Sequence, residues 1–153
     1  MDLQTVLNAM VAKSRQETFA KSEQLSLGEI VLKLEAIADK DKLIFFDFGG
    51  YTPCGIDSWR GIYAELALDY TDDPINKPTV QTVLTMLKAA IGHTYEGYKG
   101  GDFTMSRQTP IWVAHYGISG IEKYKDSDDY SSVGVVDARD GEVVIIATQK
   151  MES

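Results

Sequence analysis

The spacing of apolar residues along the chain predicts three amphipathic helices, near residues 2–12, over 27–38 and over 80–91. Before the second helix, Ser26 and Glu29 have the spacing of a capping box, in which each side chain satisfies a free backbone amide. Thr79 is the predicted cap of the third helix, and Gly92 stands where helices commonly end in a glycine. The polar stretch 12–24 either prolongs the first helix or forms an arm.

Shorter runs rich in β-branched and aromatic residues predict five strands, at 42–48, 62–70, 111–116, 131–137 and 142–148. The first run is continuously apolar, which indicates a central strand covered on both faces. Apolar and polar residues alternate in the second run, which indicates a strand with one buried face. Residues 138–141 form the predicted hairpin turn, with Gly141 in the left-handed conformation. Residues 49–61 are predicted as a loop, and residues 95–101 are too rich in glycine to be regular throughout.

The order of these elements predicts an α+β fold. Strands joined by short loops, with the helices segregated from them, indicate a mainly antiparallel sheet with two or three helices packed on one face. The 153 residues fit a single domain, with an N-terminal helix or arm over 1–24 and a core over 25–150. Hydrophobic residues make up 44% of the chain, and a chain of this length folds without a disulfide or metal.

Charge and cysteine content narrow the classes of partner. With 23 acidic and 15 basic residues the formal net charge is -8, and the basic residues are scattered. Bulk nucleic acid and anionic membranes are not expected as partners, because both favour a concentrated basic surface. The single Cys54, the lack of a signal-peptide pattern and the lack of a long apolar run predict a cytoplasmic protein. No cofactor is predicted, and no Cys/His cluster has the spacing of a zinc site.

Two groups of residues carry chemistry that an active site needs. Cys54 is a candidate nucleophile with His93 or His115 as its base, although no catalytic signature surrounds it. The second group consists of candidate acid–base or metal-binding carboxylates, Asp47, Asp57, Glu65 and Asp69. Asp47 lies within an apolar strand, where Arg60 is its predicted partner. Structural roles explain both groups better than catalysis does, so no catalytic residue is assigned.

Polar aromatic and basic residues in the predicted loops form a third group. Tyr, Trp and Arg side chains anchor protein interfaces, and they also stack on nucleotides and pair with phosphates. About half of the group is expected to be structural, because aromatic residues dominate cores as well as interfaces. The candidate residues for binding a ligand or partner are Trp59, Arg60, Tyr63, Tyr95, Tyr98, Lys99, Arg107, Trp112 and His115.

Four ordered motifs add a family resemblance. They are FDFGG at 46–50, DSWRGIY at 57–63, GYKGGDFTM at 97–105 and TPIWVAHYG at 109–117. The chain resembles, over roughly residues 25–137, a group of small uncharacterised proteins carried by tailed bacteriophages and prophages. That group has no established activity, so the resemblance assigns no functional residue. It implies a protein that modulates its host by binding. This implication rests on the phage genomes in which such proteins occur, and on no structural or chemical feature of the chain.

Three functions follow as hypotheses. The leading one is a non-enzymatic phage-type accessory protein that binds and inhibits a host protein, with an anti-phage defence protein as the expected target. The first alternative is a sponge for a small molecule or nucleotide signal, with Arg60, Lys99 and Arg107 pairing with phosphates. The second alternative is an enzyme that uses Cys54 or the Asp47/Glu65 carboxylates. Self-association of the chain is compatible with all three.

Overall fold

The structure is a computed structural model that describes residues 3–20, 22–61, 65–73, 75, 77–96, 102–115, 121, 124–126 and 132–151. Within them the chain forms three α-helices, α1 (Leu3–Ala20), α2 (Leu27–Glu35) and α3 (Val80–Ala90). The described strands are β1 (Ile44–Phe46), β2 (Thr52–Ser58), β3 (Leu66–Thr71), β4 (Thr94–Glu96), β5 (Asp102–Thr104), β6 (Ile111–Val113), β7 (Val133–Arg139) and β8 (Val144–Lys150). Short 3₁₀ turns lie at Trp59–Gly61 and Tyr124–Asp126.

Six of these strands form one mixed sheet in the order β1-β8-β7-β6-β3-β2. The pairs β1–β8 and β3–β6 are parallel, whereas β2–β3, β6–β7 and β7–β8 are antiparallel. Strands β4 and β5 form a separate antiparallel hairpin. The α+β prediction is confirmed, but the sheet that was expected to be mainly antiparallel is mixed, because β1–β8 and β3–β6 pair in parallel.

The sheet is strongly curved. Strands β1 and β2 lie at opposite ends of the strand order, and a flat sheet would separate them by about 24 Å, five spacings of the usual size. They are nevertheless consecutive in the chain, and the Phe46 N–H donates to the Tyr51 carbonyl oxygen at 2.9 Å. The two edges therefore approach each other at this end, and Gly49 and Gly50 allow the turn by adopting φ values of 57° and 68°.

The prediction of a central strand at 42–48 is wrong, because β1 is an edge strand that pairs within the sheet only with β8. The side of β1 that does not pair with β8 contacts the chain segment just before α3. Ile44 donates its N–H to the Pro78 carbonyl oxygen, and Leu43 forms a bridge with Thr79 at the start of α3. A continuous apolar run indicates that a strand is buried on both faces. It does not indicate whether the neighbouring segment is another strand or a loop.

Three further expectations are corrected. The predicted loop 49–61 contains β2, whose pairing with β3 shifts between Pro53 and Gly55, so that Cys54 lies in a bulge. The predicted half-buried strand 62–70 is buried on both faces where the structure describes it from residue 65 to 68. Gly141 does not adopt a positive φ, because β7 continues to Arg139 and the hairpin turn lies one or two residues further along than predicted.

The capping predictions are confirmed. Ser26 Oγ accepts from the Glu29 N–H at 3.2 Å, and Glu29 Oε1 accepts from the Ser26 N–H at 3.1 Å. Thr79 caps α3 by accepting from the Thr82 N–H, and Gly92 follows that helix with a φ of 80°. These local bonds fix where α2 and α3 begin. The apolar residues that follow at helical spacing then form the buried face of each helix.

Two apolar clusters cover opposite faces of the sheet. Leu66 and Leu68 on β3 belong to the main core, together with the buried residues of α2 and α3. Ala67 lies between them in sequence and belongs instead to a second cluster that contains Trp59 and Trp112. Because successive side chains of a strand point to opposite faces, β3 is covered on both.

Helix α1 extends over the polar stretch to Ala20, so the first of the two alternatives for residues 12–24 holds as far as residue 20. Its described side chain Arg15 contacts Glu65 and Trp112, next to the second cluster. Among the described residues, no helix has the length and apolar character that crossing a membrane requires.

Candidate functional site

Several polar and aromatic residues collect at one end of the sheet. Strands β1, β3, β6 and β8 run in the same direction, because β1–β8 and β3–β6 are parallel and β7 pairs antiparallel with both β6 and β8. Their carboxyl ends therefore meet at one edge of the sheet. The side chains there form what we call the carboxyl-end surface: Asp47, Tyr51, Asp69, Tyr70, His115, Tyr124, Lys125 and Thr148.

Asp47 is held in a dense hydrogen-bond network. Its Oδ2 atom accepts from Lys125 Nζ at 2.9 Å and from the Thr148 N–H at 2.9 Å, and its Oδ1 atom accepts from the Thr148 hydroxyl. Tyr124 Oη lies 2.7 Å from the same hydroxyl. Burial alone would raise the pKa of Asp47, but the Thr148 and Lys125 hydrogen bonds outweigh it and lower this pKa. Asp47 is therefore a fixed, ionised carboxylate at neutral pH.

The prediction that Arg60 pairs with Asp47 is wrong. Lys125 takes that place, and its interactions with Asp47 and Tyr124 raise the pKa of the lysine despite partial burial. Lys125 has a φ of 44°, a conformation that is rare for residues other than glycine. Its 3₁₀ turn thus holds a strained residue at the position where it bonds both Asp47 and the Thr148 carbonyl oxygen.

A row of aromatic rings adjoins this network. The rings of Tyr51 and Tyr70 meet edge to face at 4.9 Å, and Tyr70 lies 5.6 Å from the ring of His115. His115 Nδ1 lies 2.7 Å from Asp69 Oδ1, which fixes the orientation of an imidazole whose side chain is half exposed. Tyr51 and Tyr70 are partly buried against the main core. The row presents amphipathic side chains on a rigid base.

Cys54 lies beside this row on the bulge of β2 and is exposed. The thiol is nevertheless partly desolvated, and this desolvation together with the negative charge of Asp69 raises its pKa. Cysteine catalysis needs a thiolate, which is favoured by neighbouring positive charge and disfavoured by a carboxylate. The environment of Cys54 thus keeps the thiol protonated at neutral pH.

A second group, the tryptophan cluster, lies on the other face and consists of Arg15, Trp59, Arg60, Glu65 and Trp112. Both Glu65 carboxylate oxygens accept from the Arg15 guanidinium, and Oε1 also accepts from Trp112 Nε1 at 2.7 Å. The two indole rings stack at 4.7 Å with 9° between their planes. Arg60 lies 4.7 Å above the ring of Trp59, and Arg15 lies 6.0 Å from that of Trp112. Each indole therefore has a cation near it.

Burial gives the two tryptophans a structural setting. Trp59 is fully buried and Trp112 is 4% exposed. Trp59 Nε1 has no hydrogen-bond partner among the described residues, and the adjoining Arg60 has a φ of 57° while its guanidinium donates to Ser132 Oγ at 3.2 Å. An unpaired buried donor and a strained backbone both cost free energy, so they persist only where the surrounding packing holds them in place.

The other predicted binding residues are dispersed. Tyr95 is half-buried on β4, where burial and the charge of Asp57 raise its pKa. Arg107 is exposed beside the start of α2, where its carbonyl oxygen accepts from the Gly28 N–H at 2.8 Å. Tyr63, Tyr98 and Lys99 lie outside the described residues.

The structure therefore brings Trp59, Arg60 and Trp112 together and leaves His115 in the carboxyl-end surface. Contact of any of these residues with a ligand or partner stays a prediction. Sequence reasoning missed Arg15 and Lys125, which bond acids 50 and 78 residues away, and no local pattern signals pairing over such distances.

Within the described part of the chain, no three His, Cys, Asp or Glu residues are grouped so that they could hold a metal ion. Comparison with known proteins finds no match to a family model, to a curated protein or to a solved structure. The resemblance to small phage proteins accordingly stays an expectation.

Proposed function

We propose that this chain is a non-enzymatic accessory protein of phage type that binds and inhibits a host protein in the host cytoplasm, with an anti-phage defence protein as the expected target. The observation that carries the proposal is the carboxyl-end surface. It combines half-exposed aromatic and basic side chains with carboxylates that are already paired.

The pairing of the acidic residues supports binding over catalysis. A general acid or base needs a pKa near the working pH, and the network around Asp47 lowers its pKa instead. Glu65 accepts three hydrogen bonds from Arg15 and Trp112, which occupy both of its oxygens. The raised pKa of Cys54 disfavours a nucleophilic thiolate. These groups serve the fold in their present arrangement.

The aromatic row supports a protein partner. Tyr51 and Tyr70 have few rotatable bonds and are braced by Phe48 at 5.5 and 5.8 Å, so ordering them at an interface costs little conformational entropy. His115 and Lys125 add exposed polar atoms at the rim. A rigid aromatic centre with a polar rim is the usual composition of a protein-binding patch.

A small nucleotide-like ligand is the second candidate, and the same row favours it. A base would stack on Tyr51 or Tyr70 while Lys125 attracts a phosphate. Both tyrosines contact the Phe48 ring, which also contacts Tyr124, and Lys125 Nζ lies 5.2 Å from the Tyr124 ring. A ligand of this kind stabilises the folded state, so the melting temperature would rise across a nucleotide panel.

The helix arrangement is also part of the proposal: α2 and α3, which share the main core, would pack on one face of the sheet.

The experiment uses the full-length tagged protein as bait in a bacterial host, with two variants. The double variant Tyr51→Ala/His115→Ala removes exposed contact area from the carboxyl-end surface. Lys88→Ala is the control, because Lys88 is exposed on α3, outside that surface, and is not among the candidate binding residues. We expect one stoichiometric host protein with the wild type and the control, and its loss with the double variant.

Inhibition is then measured on the purified host protein. Its activity should fall with the wild type and with Lys88→Ala, and it should be unaffected by the double variant. Equal capture and equal inhibition by all three proteins would refute the assignment of the surface. Melting curves of the variants confirm that each one is folded.

A further inference from the structure

Helix α1 has an exposed apolar face. We call it the apolar stripe; it consists of Leu3, Val6, Leu7, Met10 and Val11, which are between 38% and 74% exposed. These residues recur at helical spacing over the first half of the helix and lie on one side of it. Exposed apolar surface that is contiguous marks an interaction site more often than isolated exposed residues do.

The stripe points away from the domain. At the usual 100° per residue it covers about 140° of the helix circumference, and its centre lies about 130° from the midpoint between Arg15 and Phe19. Arg15 bonds Glu65, and Phe19 is half-buried. The side of α1 that faces the sheet is thus a different one, and the stripe stays open to another molecule.

The composition of the stripe suits a second copy of the chain. No charged residue occurs between residues 3 and 12, although the chain as a whole has a net charge of -8. Two stripes can therefore meet without bringing like charges together. A two-fold interface requires a surface that is complementary to itself, and an uncharged stripe of Leu, Val and Met meets this requirement.

Charge also selects the direction of pairing. The carboxyl end of α1 leads into the acidic domain, so parallel helices would place two acidic domains side by side, whereas antiparallel helices place them at opposite ends. A two-fold axis between Val6 and Leu7 then sets Leu3 of one chain against Met10 of the other. Val6 of each chain meets Leu7 of the other.

The area is sufficient for a weak dimer. With the usual surface areas of Leu, Val and Met, the exposed fractions amount to roughly 500 Å² per chain, so a pair that covered both stripes completely would bury about 1,000 Å², the lower limit for a biological interface. We propose that α1 forms an antiparallel dimer through the apolar stripe, which makes the protein bivalent. This goes beyond the proposed host binding, which uses the carboxyl-end surface, and either one can fail alone.

The test is sedimentation velocity of the full-length protein from about 1 to 100 μM, a range in which weak dimers dissociate. Leu7→Glu places a charge at the centre of the stripe and should raise the dimer dissociation constant at least tenfold. Leu32→Glu is the matched control, since Leu32 is a 63% exposed leucine on α2 and the change in charge is the same. It should leave the dimer unchanged.

Three results would overturn the inference: a monomeric wild type at every concentration, a Leu7→Glu dimer as tight as the wild type, or equal weakening by Leu32→Glu. Helicity by circular dichroism shows whether Leu7→Glu still forms α1. The antiparallel direction of helix pairing is tested by disulfide formation in a Cys54→Ser background. Protein that carries Leu3→Cys is mixed with protein that carries Met10→Cys. Antiparallel pairing gives the mixed disulfide, whereas disulfides only between identical chains contradict it.

Discussion

Arg15 joins α1 to the sheet, and its removal should destabilise the protein measurably. The Glu65 side chain is 11% exposed and that of Arg15 19%, so Arg15→Ala leaves a largely buried carboxylate whose remaining hydrogen-bond donor among the described residues is Trp112 Nε1. Breaking a buried ion pair costs about 3–5 kcal/mol, and the residual exposure here places the loss near 3 kcal/mol. In a chain of this size, such a loss lowers Tm by roughly 6–12 °C.

The double variant Arg15→Ala/Glu65→Gln separates the two contributions. Glutamine carries no charge, and its Oε1 atom still accepts from Trp112 Nε1, so at least about half of the lost stability should return. Lys13→Ala removes a neighbouring exposed positive charge of α1 and should change stability by less than about 0.5 kcal/mol.

The assay is urea denaturation at pH 7 followed by tryptophan fluorescence. The chain has two tryptophans, and both Trp59 and Trp112 lie in the tryptophan cluster, so the signal reports on this region directly. The reasoning is refuted if Arg15→Ala is as stable as Lys13→Ala. It is also refuted if the double variant is no more stable than Arg15→Ala.

Further predictions concern single residues. Asp47→Asn should cost about 2 kcal/mol at pH 7 through weakened bonds to Lys125 and Thr148. Because the pKa of Asp47 is lowered on folding, this contribution is present above about pH 4 and is lost as the pH falls through the folded pKa, so denaturation of wild type and variant should converge in acid. Ser26→Ala removes the cap of α2 and should lower the unfolding free energy by about 1 kcal/mol in the same assay. The raised pKa of Cys54 predicts slower alkylation by iodoacetamide at pH 8 than for a free cysteine, and an equal rate would contradict it.

Local structure could be predicted from the sequence where its cause is local. The capping box of Ser26 and Glu29 is a contact between residues three positions apart, and the α3 cap at Thr79 is equally local. The apolar periodicity of both helices has the same origin, because it depends on the geometry of one helix and one core.

Long-range pairing could not be predicted. The edge position of β1 depends on a parallel partner about 100 residues away, and Ile44 is aligned with Val144 in that pair. Strand β2 was missed because Pro53 and Gly55 resemble loop residues, although its bulge accommodates both. The sequence favours Arg60 as the partner of Asp47 because Arg60 lies much closer in the chain than Lys125, which is 78 residues from Asp47.

In the candidate site, too, residue types could be interpreted from the sequence, whereas long-range contacts could not. Residue types indicated that some tryptophans and carboxylates would be structural, but not which residues would stack or pair. The side chains of Trp59, in the turn after β2, and Trp112, on β6, meet in one cluster on the same face of the sheet. That proximity follows from strand order, which the sequence pattern does not contain.

The most direct test of the proposed function is the native mass of the full-length protein purified gently from a bacterial host. The account predicts a complex with one host protein in fixed stoichiometry, absent from the Tyr51→Ala/His115→Ala variant and present with Lys88→Ala. An added mass of a few hundred daltons that is lost on denaturation, with no protein partner, would contradict it and favour the nucleotide-binding alternative.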